Sequence, residues 1–293
     1  MVSWGRRYLT VRPDEFRIDY MINPYMDPEV QPDPVRSAAQ WQAMVTTLGD
    51  LGAEVEELDP AVGCPDMVYA MNLGQAWIRD GEKHVLMSHM RFPQRRAETP
   101  VAAQWFADHD FTVHWLGGEP PREIDGELDQ WGSSGLPAPS FESGDAFWFN
   151  GKLAVAYGPR TDHAALDLIG EVMGVDVLPV HTTHPAMFHL DLSFCPLTED
   201  SALVCPGAFD DETGKALWKH VPDPIEVSVD QALAFAANAV VVGDTILGAG
   251  LDPDLTRQIE QRGVAVRSLD VDQFHLSGGS IRCLTNPLDI VLG

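Results

Sequence analysis

Cys283 lies in Ser277-Gly278-Gly279-Ser280-Ile281-Arg282-Cys283-Leu284-Thr285-Asn286-Pro287-Leu288, where two glycines and a serine lead into a cysteine and a proline follows. Gly-Gly lets a backbone adopt positive φ and approach a ligand closely. A cysteine presented after such a turn is a candidate nucleophile, although a lone cysteine is equally a buried loop thiol. His189 and Asp191 are two apart, so on an extended strand both face one side. Glu142 and Asp145 flank a Ser-Gly turn that can aim both inward. Singly, each has an ordinary explanation: a core histidine, loop caps, or, for Asp66 after Pro65, a turn. Carboxylates gathered in a buried pocket are costly unless paired. A cationic ligand would pair them, and a planar guanidinium has a fork of N–H donors that matches carboxylates. A thiolate could attack its central carbon while His moves protons, and the cation would help lower the thiol pKa.

The elements that must position these groups occupy 293 residues, enough for one large domain or two ordinary ones. Hydrophobic residues make up 45% and charged residues 22%, as in ordinary globular chains. The net charge of −25 comes from 44 acids against 19 bases and argues against nucleic acid and anionic membranes as partners. The cysteines are Cys64, Cys195, Cys205 and Cys283, without C-x-x-C or zinc-finger spacing. The N-terminus lacks a signal-like apolar core, and no run approaches the roughly 20 apolar residues of a membrane span. Reduced thiols in a cytoplasmic chain are the simplest account. Oligomeric state is unreadable, and a homo-oligomer stays open.

A helix-turn-strand unit recurs five times. Asp33-Pro34 opens a helix with Val35, Ala38, Ala39, Ala43, Met44, Leu48 and Leu51 on one face, and Glu54 to Leu58 is its strand. Further helices start at Thr99-Pro100, Asp162, Asp211 and Asp252-Pro253. Their strands are expected over 111–115, 175–178, 225–229 and 264–266. A doubly wound α/β sheet would also alternate helix and strand, but the chain has neither G-x-G-x-x-G nor a P-loop. A polar cluster follows each unit: Cys64 to Asn72, Phe141 to Asp145, Met187 to Asp191, Phe235 to Ala239, and Cys283. If the units close around an axis, the clusters converge on one pocket. The Gly117–Pro139 segment reads equally as a lid or an ordinary insertion.

The chain resembles the guanidino-modifying superfamily of arginine deiminases, dimethylarginine dimethylaminohydrolases and amidinotransferases. The likeness covers essentially the whole chain. It is carried by Phe141-Glu142-Ser143-Gly144-Asp145, Gly158-Pro159-Arg160-Thr161, Phe188-His189-Leu190-Asp191 and the Gly-Gly-x-x-x-Cys ending at Cys283. Ile22-Asn23-Pro24-Tyr25-Met26 and Pro65-Asp66-Met67-Val68-Tyr69 look most like the bacterial arginine dihydrolase and dimethylargininase-like branch. The resemblance implies one catalytic domain over 1–293: a five-fold pseudosymmetric α/β propeller, the pentein fold, with a central active site. It implies Cys283 as nucleophile, His189 as general acid/base and Glu142 as its supporting carboxylate. Asp191 and Asp145 match positions near the guanidinium and the pocket's internal pairing. Arg160, and more weakly Arg95, match arginines on the substrate's α-carboxylate. Asn23, Asn72 and Asp66 are expected to contact substrate. No metal or organic cofactor is implied, and the partner is a small cationic guanidino compound.

Four features depart from the family pattern. Asn72 stands where deiminases place an Asp, and in the dihydrolase branch such an Asn accompanies release of two amino groups. Met71 and Leu73 flank it with bulk; His184-Pro185-Ala186-Met187 replaces Asp-Pro-Arg-Phe; Leu192 replaces a Thr. These bear on the substrate more than on the reaction class. The expected activity is cysteine-dependent hydrolysis of arginine or an arginine derivative. Its nearest alternative is an amidinotransferase passing the amidino group to an amine. A non-catalytic binder would need no thiol, and a metal-dependent ureohydrolase would need a D-x-H-x-D ligand set that the sequence lacks.

Overall fold

A computed structural model describes residues 5–118, 120, 122–124, 127–129 and 138–292. Much of the Gly117–Pro139 segment, and with it the choice between lid and insertion, lies outside them.

Local chemistry sets the helices. Asp33 accepts from the Val35 and Arg36 amides at the start of Pro34–Asp50, Asp210 caps Asp211–His220, and Asp252 caps Pro253–Glu260. The third helix differs from expectation. It runs Ala165–Met173, because the Asp162 carboxylate is engaged by Arg91 and the Ser140 amide rather than capping. The inward face of the first helix also differs: Ser37, Trp41, Met44, Thr47 and Leu48 are buried, while Val35 is 77% exposed.

The strands fall near their expected places, at Glu54–Leu58, Phe111–His114, Val177–His181, Asp223–Glu226 and Ala265–Ser268. The fourth stops early because Ser228 forms a capping box with Gln231 and starts the helix Val229–Leu233. Each of these strands pairs in parallel with a strand whose other neighbour is antiparallel to it. The result is five separate three-stranded sheets among the described residues, not one doubly wound sheet. The first sheet is completed by the C-terminus: Asn286–Pro287 lies antiparallel to Arg7–Val11. Asp289 then accepts from the Gly5 and Arg6 amides at 3.0 and 2.8 Å.

A short turn precedes the first strand of each unit, and the turns are hydrogen-bonded in sequence. The Gly144 amide donates to Asn72 Oδ1 at 3.1 Å, and the Leu190 amide to Asp145 Oδ1 at 3.0 Å. Asn238 Nδ2 donates to the Asp191 carbonyl at 2.9 Å, and the Cys283 amide to Asn238 Oδ1 at 3.2 Å. The Met71 amide closes the circuit on the Cys283 carbonyl at 3.0 Å. The ring is thus a five-fold pseudosymmetric propeller with its polar turns at the axis. Helix faces such as Leu166, Ile169 and Met173 bury against the sheets outside it, each large side chain contributing about 1.5–3 kcal/mol.

Asp252 gives a direct test of the local reading. Asp252→Ala removes bonds from the Asp254 and Leu255 amides and from Gln231. The expected cost is about 1 kcal/mol, a fall in Tm of roughly 2–4 °C. An unchanged melting curve would show that the cap contributes nothing.

Candidate active site

Cys283 is held by a backbone that only glycine could supply. Gly278 takes φ 85°, and a Cβ on Gly279 would lie 2.2 Å from the Tyr69 ring. The sulfur is buried and lies 3.2 Å from Asp191 Oδ2, with Asn238 Nδ2 3.1 Å away. Burial, then Asp191, push the thiol well above its usual range. The resting group is therefore a neutral thiol donating to Asp191. Burial also raises the Asp191 carboxyl.

His189 is extended and leads into a 3-10 turn, Leu190–Leu192, that carries Asp191. The pair therefore does not sit on one extended strand, yet the turn brings both to the same place. His189 Nε2 lies 2.8 Å from Glu142 Oε2. Arg160 donates to the same oxygen at 2.9 Å, and the Arg91 amide donates to Oε1 at 3.2 Å. Burial alone would raise Glu142, but Arg160, His189 and Arg95 hold it well below the usual carboxylate range. A carboxylate accepts only, so Nε2 carries the hydrogen and Nδ1 is the nitrogen left for proton exchange. His189 Nδ1 and Asp191 Oδ1 are buried without hydrogen-bond partners. Both atoms are therefore able to take a hydrogen bond from a group entering the site.

A pocket opens beside them. Of the residues singled out from sequence, Asn23, Asp66, Asn72, Arg95, Arg160, His189 and Cys283 line it. Glu142 and Asp191 stand directly behind, on His189 and Cys283 respectively. Asp145 is not among the residues lining the pocket and belongs to its internal pairing. One of its oxygens accepts from Thr161 at 2.6 Å and the other from the Leu190 amide, so it anchors the His189 turn. Arg95 is bonded through Nε and one terminal nitrogen to Glu98, a buried partner whose carboxyl burial pushes up to about 7. Arg160 stacks between Phe92 and Phe188, and its second nitrogen reaches the Ile22 carbonyl. Both arginines face the pocket with charge already partly paired. Asp66 accepts from Tyr20 at 3.0 Å and Ser277 at 3.3 Å. Asn23 ties the Tyr25 amide to the Ser277 carbonyl.

Sequence reasoning gave no role to Glu98, Tyr20 or Asn238. Asn238 did carry a signal: it is the single polar residue between Ala232 and Val242. A buried amide in an apolar run must satisfy its hydrogen bonds internally. Among the described residues, no three His, Cys, Asp or Glu side chains are grouped to hold a metal ion, and no helix is long and apolar enough to cross a membrane.

The chain matches the family model described as N,N dimethylarginine dimethylhydrolase, eukaryotic, over residues 12–290. An uncharacterised Caenorhabditis elegans protein is 29% identical, covering 95% of this chain and 92% of the relative. The bifunctional arginine dihydrolase/ornithine cyclodeaminase ArgZ of Synechocystis is also 29% identical, over 95% of this chain but 37% of its own length. The N(G),N(G)-dimethylarginine dimethylaminohydrolase of Mycobacterium tuberculosis is 28% identical, over 96% and 85%. Among solved structures, the substrate-bound N-terminal domain of cyanobacterial ArgZ superimposes with a TM-score of 0.86 at 28% identity, covering 98% of this chain and 99% of that one.

Two predictions test the geometry. A Cβ at Gly144 would lie 2.7 Å from Asn72 Oδ1 and 3.3 Å from both Asp191 Oδ2 and His189 Cγ. Gly144→Ala is expected to displace one of them and lower turnover of a guanidino compound at least about tenfold; wild-type kinetics would contradict this packing. The second concerns pH. Burial pushes the Asp145 carboxyl up to about 7, against the pull of His189 and Thr161. In an unfolded chain it titrates near 3.9, so this raised group contributes stability that is full below about 4 and lost as pH rises through about 7. Asp145→Asn should therefore flatten the decline in stability between pH 5 and 7 by up to about 1.4 kcal/mol per pH unit, measured by urea unfolding. The Glu98 contribution stays in both proteins, so parallel curves would show that Asp145 holds no extra proton.

Proposed function

The chain belongs to the dimethylarginine dimethylhydrolase family, and we propose that it is an arginine dihydrolase working through a covalent bond to Cys283. As a member of that family it is a hydrolase of amidine C–N bonds, with a guanidino compound as substrate. The observation that carries the finer reading is the buried thiol beside two orphaned atoms, Asp191 Oδ1 and His189 Nδ1. A guanidinium N–H satisfies Asp191 Oδ1, and its positive charge offsets the burial that raises both the Asp191 carboxyl and the Cys283 thiol.

In this mechanism the Cys283 thiol passes its proton to His189 Nδ1, and the thiolate attacks the guanidinium carbon to form a C–S bond. A C–N bond breaks, with His189 Nδ1 supplying the leaving amine's proton. Water, losing a proton to Nδ1, then displaces the sulfur. Glu142 stabilises the imidazolium at each stage.

Asn72 supports two rounds over one. Its Oδ1 is occupied by the Gly144 amide, so Nδ2, a donor, is what Asn72 offers the pocket. A donor suits the ureido oxygen left by the first hydrolysis better than it suits a guanidinium. Two rounds convert arginine and two waters into ornithine, two ammonia and carbon dioxide.

The test is product analysis by mass spectrometry and ammonia assay on L-arginine. Ornithine with two ammonia per turnover is expected, and Cys283→Ser should lower the rate by at least about 10³-fold. Citrulline with one ammonia would limit the enzyme to a single hydrolysis. Turnover of dimethylarginine but not arginine would reassign the substrate, and a product that appears only with an added amine would make it an amidinotransferase. An active Cys283→Ser would end the covalent mechanism.

A further inference from the structure

The turn before the fifth sheet is tightly bent. Phe235 takes φ 66°, in the left-handed region that side chains other than glycine seldom enter. It is held there by stacking on His275 at 4.2 Å and by Tyr25 at 5.1 Å. The turn ends at Asn238, whose amide bonds back to the Phe235 carbonyl at 3.0 Å. Strain of this kind persists only where surrounding contacts enforce it, and it concentrates at functional sites.

The Asn238 side chain is wholly buried. Its Oδ1 accepts from the Ser280 amide at 3.1 Å and the Cys283 amide at 3.2 Å. Its Nδ2 donates to the Asp191 carbonyl at 2.9 Å and to Cys283 Sγ at 3.1 Å. Two N–H groups at one end and a carbonyl at the other allow only one orientation of the amide. The group facing the sulfur is therefore a donor. We propose that Asn238 is a catalytic residue whose Nδ2–H stabilises the Cys283 thiolate, while its Oδ1 holds the loop that presents the sulfur. This rests on Cys283 being the nucleophile.

The surroundings show why such a donor matters. The ionisable groups facing the sulfur are Asp191, Arg282, Tyr25 and Tyr69, with His189 and Asp66 across the pocket. Burial and Asp191 favour the thiol; the Ser280 amide and Asn238 oppose them. In the equilibrium Cys–SH ⇌ Cys–S⁻ + H⁺, the bond to Asp191 is lost and becomes a repulsion. The bond from Asn238 becomes charge-assisted and about twice as strong. Asn238 is neutral, so it acts at every pH and before substrate arrives.

Two variants separate its roles. Asn238→Asp keeps an acceptor for the Ser280 and Cys283 amides but has no donor for the sulfur; Asn238→Ala has neither. The rate of Cys283 alkylation by iodoacetamide, followed by mass spectrometry across pH, should shift its midpoint upward by about one unit or more in both. The acid limb of kcat/KM should move with it, and kcat should fall at least tenfold with KM within threefold. A wild-type midpoint in folded Asn238→Asp overturns the proposal. One measurement needs no Asn238 variant: the side-chain 15N resonance of Asn238 should titrate with the alkylation midpoint in wild type and be flat in Cys283→Ser. A flat wild-type resonance also overturns it. Full activity of Cys283→Ser would sink the nucleophile reading and leave the hydrogen-bond result standing. An inactive Cys283→Ser with an unmoved midpoint in Asn238→Asp would sink only the role of Asn238.

Discussion

Five turns hydrogen-bonded one to the next around an axis hold the rest of this molecule in place. Each link joins residues far apart in the chain, from Leu190 to Asp145 and from Cys283 to Asn238. The last link, Met71 to the Cys283 carbonyl, forms only when the C-terminal strand returns to the first sheet. Loss of any link would leave buried polar groups without partners, at a cost of about 1–3 kcal/mol each. Ring closure and assembly of the site are thus one event, because Cys283 sits on the closing segment.

Within that ring, buried charge decides the orientation of the side chains. Glu142 has no exposure, and an ionised carboxylate survives there only with partners. Arg160 and His189 supply them. His189 has its tautomer set, leaving Nδ1 free. Arg160 is fixed between two aromatic rings, and its spare nitrogen secures the chain at Ile22. Farther out, Arg95 and Glu98 form a second buried pair that steadies the Asp66 carbonyl.

Negative charge nevertheless remains in surplus near the thiol. Asp191 has one oxygen on Cys283 and the other without a partner, and Asp66 is held by hydroxyl groups. In the resting protein burial keeps both carboxyls raised. A cation entering the pocket would reverse the balance, favouring carboxylate and thiolate together. In the mechanism we propose, binding and activation of the thiol are coupled through the same buried charges, with Asn238 as the neutral component.

The sequence by itself determined whatever depends on residues within about four positions. The Asp-Pro starts at Asp33 and Asp252, the Ser-Gly turn after Glu142 and the Gly-Gly approach to Cys283 were legible because their donors and acceptors are chain neighbours. Five units with a polar cluster each were legible from periodicity, and the family motifs named Cys283, His189 and Glu142. Tertiary structure alone decided what those groups touch. Asp145 bonded to the Leu190 amide, Glu142 found His189, and Asn238, a lone amide in an apolar run, became the group behind the sulfur. Partners separated by some 45 to 92 residues meet only after the ring closes. Which oxygen or nitrogen each then presents is set by the satisfaction of buried charge and hydrogen bonds, a condition no local stretch of sequence contains.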